Sequence, residues 1–265
     1  MATPLPFGRA IIHRNSGRIV GPIAPIFAED WPYRHAANTE TLWRYLDFSK
    51  FEDLLVTSTL YFSRPDRFKD PFEGRFTQGN QSRPSQSDRI FRQLYRFQED
   101  QGTTSTYHDI HRKVVFISCW HRNTHDTLNM WDAYTDSSDS VVVSTTVAAL
   151  QAHLPTTIMQ HGVTYKPVNE PRTEFSHNSL FFYKPSEYAF EREYRLLRSP
   201  AENESFTPDQ EADTFRRIPF SLHKVIHRVK IHPAASIQTQ RNTHFLLRAH
   251  CPHRFATLSK NTIKC

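Results

Sequence analysis

A chain of 265 residues with 38% hydrophobic content, including 20 Phe, 10 Tyr and 4 Trp, is long enough to bury one full core. Its mean hydropathy of −0.61 and the lack of any run of about 18 apolar residues exclude a membrane-spanning helix, and seven glycines with neither a G-x-G-x-x-G nor a P-loop pattern exclude the common glycine-rich phosphate loops. The net charge of +6 suits a polyanionic partner such as a nucleotide or nucleic acid, although the charge is dispersed along the chain.

Residues 1–38 carry five prolines and little periodicity, and read as a Pro-rich N-terminal extension with short extended pieces at 18–20 and 23–27. They lack the charged region and apolar core of a secretory signal. Cys119, Cys251 and Cys265 are odd in number and widely spaced, which is no disulfide framework and points to a reducing cytoplasm.

Residues 39–235 read as a single α+β domain of catalytic type. It opens with a compact strand–helix–strand: a strand over 41–46, a helix over 50–57 capped by Ser49 with Phe51, Leu54 and Leu55 on one face, and a strand over 60–63. Pro65 and Pro71 then mark a turn-rich loop over 64–74. A polar loop over 78–88, a helix over 86–99 and a polar stretch over 100–110 follow. A β-prone run over 113–120 leads through a loop at 121–125 to a short helix over 126–134, capped by Asp126 and presenting Met130 and Tyr134 four residues apart.

The second half continues with a strand over 140–144, a helix led by Thr145 to His153, a strand over 159–165 and a helical connection over 176–184. Residues 190–197 read as a strand, so Glu191, Glu193 and Arg195 share one pleat face. That face is either a solvated surface with ion pairs or a site. An acidic loop over 199–213, a helical turn over 221–225 and a strand over 228–232 close the domain. Residues 236–265 read as a basic C-terminal helix, over 236–249, and a tail. Strands that lack a crossover helix favour a mixed α+β fold over a doubly wound parallel sheet.

The histidines supply ligand types at Cys119-x-His121-x-x-x-His125 and His250-Cys251-x-His253, but without a paired C-x-x-C or an H-E-x-x-H no metal is expected. Cys119 as a nucleophile with His121 or His125 is not favoured, because neighbours on one strand and loop diverge in direction.

The landmarks Leu42-Trp43-Arg44-Tyr45, Leu60-Tyr61-Phe62-Ser63, Phe68-Lys69-Asp70-Pro71-Phe72-Glu73, Phe116-Ile117-Ser118, Met130-Trp131-Asp132-Ala133-Tyr134 and Phe190-Glu191-Arg192-Glu193-Tyr194-Arg195 are specific in their order. Over about residues 41–198 the chain resembles the mostly bacterial domain-of-unknown-function family twenty-nine seventy-one. It departs from that family at Lys69, where Asn is usual, and at Ala133, where His is usual. The order of a strand-end Arg, a later Ser and a still later Glu-x-Glu is in turn similar to that of ADP-ribosyltransferases, which cleave the nicotinamide–ribose bond of NAD.

This resemblance implies a mixed α+β, ADP-ribosyltransferase-like fold with a split β-sheet core and flanking helices, NAD as the substrate and no metal. It implies Arg44 as the phosphate-binding arginine, Ser118 as the positioning serine, Glu193 as the catalytic glutamate and Glu191 as the residue that orients or activates an acceptor. Tyr45, Ser63, Trp131, Tyr134 and Arg195 are the further residues expected around NAD, with the tyrosines and Trp131 as an aromatic wall. Ser-Cys-Trp stands here where those enzymes have Ser-x-Ser. Whether the acceptor is protein, nucleic acid or water is open. Two other readings are a non-catalytic nucleotide- or nucleic-acid-binding module, and a metal-dependent nuclease built on Asp70, Glu73, Glu191 and Glu193.

Overall fold

The computed structural model describes residues 11–12, 19–20, 39–70, 73–74, 111–168, 177–199, 205–206, 214–254 and 256–259. The expected loop over 78–88, helix over 86–99 and polar stretch over 100–110 lie outside them, as do most of the N-terminal extension, most of the acidic loop and the final tail. Two short strands from the extension, β1 (Ile11–Ile12) and β2 (Ile19–Val20), pair antiparallel, and β2 pairs in turn with Ser205–Phe206.

The strand–helix–strand opening is β3 (Thr41–Asp47), α1 (Phe48–Thr57) and β4 (Thr59–Ser63). Phe51, Leu54 and Leu55 are buried, as their helical spacing requires. The helix starts one residue before Ser49, and Asp47 at the N-cap spends its carboxylate on Lys50 and on the Asp136 N–H at 2.8 Å. Residues 111–114 form a helical turn, so β5 (Phe116–Arg122) begins later than expected and takes in His121 and Arg122. Asp126 does not cap the next helix, α2 (Leu128–Tyr134); its carboxylate is committed to Lys230 and Ser259.

β6 (Ser140–Thr146) is buried on both faces through Val141, Val142 and Val143, and feeds α3 (Val147–His153), which Thr146 caps by accepting from Ala149 N at 3.2 Å. The single strand expected over 159–165 breaks at Val163, whose N–H turns to the Glu193 carbonyl at 2.8 Å. β7 (Ile158–Gly162) and β8 (Thr164–Lys166) therefore join different sheets, and β8 pairs parallel with β9 (Tyr183–Pro185). The remaining elements are 3₁₀ turns at Pro65–Arg67, His177–Phe182 and Ser186–Glu191, β10 (Glu193–Arg198), β11 (the Ser205–Phe206 pair noted above), β12 (Phe215–Pro219), α4 (Leu222–Val225), β13 (Arg228–Ile231), α5 (Ile237–His250) and β14 (Ala256–Leu258).

These strands build a nine-stranded mixed sheet around β5. β10 covers one edge of β5 completely, from Glu193 opposite His121 to Arg198 opposite Phe116. The other edge is shared. β3 pairs with its end, through Leu42–Arg122 and Trp43–His121, and β4 with its beginning, through Ser63–Ile117. β3 leaves as β4 arrives, so the sheet splits opposite Ser118 and Trp120. Beyond β3 lie β6, β13 and the parallel β14; beyond β4 lies β12; beyond β10 lies β7.

The main core packs α1, α3 and α5 on one sheet face. Leu246 and Leu247 of α5 and Ala256 of β14 belong to it, so the C-terminal segment contributes a helix and a strand to the domain itself. The opposite face carries two smaller clusters, one around Ile117, Phe181 and Leu197 and one around Trp43, Tyr45, Met130 and Trp131. Among the described residues no helix is long and apolar enough to cross a membrane.

Candidate functional site

Side chains alternate along β10. Tyr194 and Leu196 enter the main core, and Glu193, Arg195 and Leu197 face the opposite side. Glu191 is not on this strand, contrary to the expected pleat. It ends the 3₁₀ turn Ser186–Glu191, and Arg192, in the left-handed region at φ 42°, redirects the chain into β10. The two glutamates nevertheless meet, because Lys184 in the middle of β9 bonds both, reaching Glu193 Oε1 at 2.8 Å and Glu191 Oε2.

A buried chain of alternating charge results. Arg195 donates from Nε to Glu193 Oε2 at 2.6 Å, from Nη1 and Nη2 to the two oxygens of Glu73 at 2.5 and 2.9 Å, and from Nη1 to the Phe181 carbonyl at 2.5 Å. The bidentate pair fixes Glu73 in place. Gly74 makes that approach possible: it sits at φ 70°, and a Cβ there would fall 2.2 Å from Phe181 Cε1. In the order Glu73–Arg195–Glu193–Lys184–Glu191 the central Glu193 meets two cations, and Glu73 and Glu191 at the two ends meet one each.

The electrostatics separate the two glutamates. Burial pushes Glu191 up to about 7, helped by the neighbouring Glu193. Burial also acts on Glu193, but Arg195, a hydrogen bond from Glu191 and Lys184 outweigh it and hold Glu193 well below the usual carboxylate range. Burial opposes the charge on Lys184, yet Glu193 and Glu191 keep it above the ordinary lysine value. The pair therefore holds one proton below about 7, on Glu191, and gives it up as the pH rises through that value. Tyr134 is raised by burial and by both glutamates, so its phenol stays protonated. Burial and Glu193 likewise push the Cys119 thiol well up, which removes it as a thiolate nucleophile. His121 donates from Nδ1 to the Glu191 carbonyl at 2.6 Å, and burial lowers its pKa, so it is a neutral prop for the turn.

Arg44 lies across from this cluster, in the split. It shares the core-side face of β3 with Leu42 and Leu46, and its guanidinium passes into the gap that β3 and β4 leave. There it donates to Ser118 Oγ and, at 2.9 Å, to the Tyr61 carbonyl, with the Trp120 ring 5.8 Å away. Although part of the residue reaches solvent, the guanidinium is deep enough for burial to pull its pKa down to about 10, which leaves it cationic at neutral pH.

A cleft of about 570 Å³ joins these parts, within the range of small-molecule sites. Arg44, Tyr45, Ser63, Tyr134, Glu191, Glu193 and Arg195 line it as expected. Two expected site residues do not. Ser118 is buried on the core-side face of β5 with Phe116 and Trp120, on the other side of the strand from the glutamates; it holds Arg44 instead of meeting a ligand. Trp131 is fully buried, packed edge-on against Tyr45 at 5.0 Å and His232 at 5.1 Å, because α2 turns Met130 and Trp131 inward and Tyr134 outward. Tyr45 gives the cleft part of its ring only, since its hydroxyl accepts the Thr127 N–H at 2.8 Å.

The lining also includes groups that no motif marked, namely Lys184, with Tyr188 against its ammonium at 4.5 Å, and the cations Lys50 and Arg67, together with Lys69 of the Phe68–Glu73 landmark. Lys184 stands in Tyr-Lys-Pro with nothing in its spacing to signal a partner. Glu73 had a weak signal, as an acid three residues from Asp70 in a proline-fixed loop. Among the described residues no cluster of three or more His, Cys, Asp or Glu side chains is set to hold a metal ion, and Glu73, Glu191 and Glu193 are each paired with Arg195 or Lys184. Comparison with family models, with curated proteins and with solved structures finds no match to this chain.

Proposed function

We propose that the cleft binds NAD, breaks its nicotinamide–ribose bond and passes ADP-ribose to a macromolecule or to water, on an ADP-ribosyltransferase-like fold. The observation that carries this reading is a guanidinium wedged into the split of the sheet, facing a buried glutamate pair across one cleft. Arg44, with Lys50, Arg67 and Lys69 in the same lining, offers the diphosphate its cations. Nicotinamide leaves as a neutral ring with the electron pair of the broken bond, so the step needs no acid at the leaving group and no metal. The positive charge left on the ribose is met by Glu193, which its two cations keep ionised and immobile.

The two glutamates take the roles that the resemblance implies. Glu193 is 2% exposed with both oxygens engaged, so it acts as fixed charge, whereas Glu191 is the carboxylate placed to take a proton from the attacking hydroxyl. Tyr134 and Tyr188 supply aromatic surface beside the glutamates. The free thiols of Cys119 and Cys251 fit a cytoplasmic setting. The pairing of Glu73, Glu191 and Glu193 with Lys184 or Arg195 disfavours the nuclease reading, since a divalent ion would have to displace one of these cations.

The test is release of free nicotinamide from labelled NAD. Glu191→Gln is expected to cut it at least about a hundredfold, the lower range for loss of a general base, with melting temperature unchanged or raised. NAD binding without nicotinamide release by the unaltered protein would leave only a nucleotide-binding module.

A further inference from the structure

Beyond the glutamates the cleft reaches Tyr61 and Ser63 of β4, and the face that β4 shares with the neighbouring β12 carries a different chemistry. Register sets Tyr61 opposite Arg217 and Ser63 opposite Phe215, so these four side chains share one face while Leu60, Phe62 and Ile218 turn into the core. Tyr61 stacks on Phe215 with ring centroids 5.1 Å apart and planes 18° from parallel, and remains 38% exposed. The Arg217 guanidinium lies 5.6 Å from the Phe215 ring centre, steadied by Asp53 at 2.5 Å. Among the described residues β12 is the last strand on this side of the sheet. Tyr61 also lines the cleft, together with Lys50, Arg67 and Lys69.

A half-open aromatic stack bordered by cations is the arrangement that holds unpaired bases, ring on ring, with phosphates on Arg and Lys. An acidic peptide would satisfy the cations and leave the rings unused, and a duplex keeps its base faces inside its own stack. Resting on the NAD reading above, we infer that the acceptor of ADP-ribose is a single-stranded nucleic acid, led into the cleft along the Tyr61–Phe215 face. An acceptor oxygen or ring nitrogen forms the new bond to the ribose carbon as nicotinamide leaves with its electron pair, and the acceptor's proton passes to Glu191.

Binding is measured without NAD, by fluorescence anisotropy, on labelled single-stranded RNA and DNA of about twelve nucleotides, within the site size of such proteins. Both bind, or one of them, which identifies the source; affinity falls with salt, and a duplex of the same sequence and poly-glutamate bind at least about tenfold more weakly. Phe215→Leu weakens binding about tenfold, Phe215→Tyr retains it, and Arg217→Gln flattens the salt dependence by about one phosphate contact. Neither Phe215 nor Arg217 lines the NAD cleft, so nicotinamide release without acceptor is unchanged in these variants. Binding of neither single strand, equal binding of the duplex, or a Phe215→Leu affinity like that of the unaltered protein overturns the inference. Should Phe215→Leu melt early, the Phe215→Tyr and Arg217→Gln pair decides. Because oligonucleotide binding is read without NAD and nicotinamide release without oligonucleotide, failure of either reading is seen separately.

Discussion

Lys184 is the residue on which the division of labour between the glutamates rests. It is 8% exposed, contacts both carboxylates and packs against Tyr188, so its ammonium has little water to fall back on. Lys184→Met would leave Glu191 and Glu193 facing each other, a loss of about 3–5 kcal/mol typical of a broken buried pair, read by chemical denaturation; Lys184→Arg should retain most of it. The pH profile separates this role from bulk stability. With Glu191 as base, nicotinamide release rises with pH through about 7, Glu191→Gln removes that limb, and Lys184→Met moves it upward because a cation favouring the carboxylate is gone. Stability runs the other way for Glu191: its folded pKa is raised, so its contribution is complete below its ordinary 4.5 and is lost as pH rises through about 7. Glu193, held down by Arg195, contributes above the ordinary carboxylate range and loses that contribution on acidification.

Two elements decide whether the cluster assembles, and both are turns. The turn at Glu73–Gly74 presents Glu73 to Arg195 from more than a hundred residues away in sequence, and it closes against the ring of Phe181. Gly74→Ala places a Cβ where Phe181 already is, at a φ that suits glycine, so a destabilisation of at least about 1–2 kcal/mol is expected. Thermal melting checks the size, and a parallel drop in nicotinamide release shows that Glu73 has left Arg195. The second turn, Ser186–Glu191, explains a misreading of local pattern. A period-two alternation across 190–197 predicts a strand with Glu191, Glu193 and Arg195 in register, and β10 keeps that register only from Glu193. The left-handed Arg192 breaks it, and Lys184 brings Glu191 back by another route.

At the scale of the whole molecule, Arg44 joins the two lips of the split sheet. Its bonds to Ser118 and the Tyr61 carbonyl replace the ladder bonds that β3 and β4 do not make there. Arg44→Ala is expected to raise the KM for NAD and to cost about 1–3 kcal/mol through buried groups left without a partner. Ser118→Ala should mainly loosen Arg44, with a smaller rise in KM and kcat retained; a loss of kcat alone would show that Ser118 meets the reacting atoms. The split also divides the protein into a face of bulk packing and a face that holds the cleft, since the main core lies under α1, α3 and α5 and the cleft opens on the other side.

The mixed α+β class, the compact β3–α1–β4 opening and the helix near the C-terminus were legible in the sequence, as was the place of Arg44, Glu191 and Glu193 in one cleft, because periodicity and β-propensity are local and charged side chains among apolar neighbours are conspicuous. The seats of Ser118 and Trp131 were not, since facing direction depends on which neighbour a strand or helix packs against, not on its own pattern. Asp126, a good cap by type, was drawn off by Lys230 and Ser259. Above all, only the tertiary structure could bring Glu73, Lys184 and Arg195 to one point: ion pairs between segments far apart in the chain leave no spacing to read, and burial, which exists only once the sheet has closed around them, is what gives Glu191 and Glu193 different proton affinities.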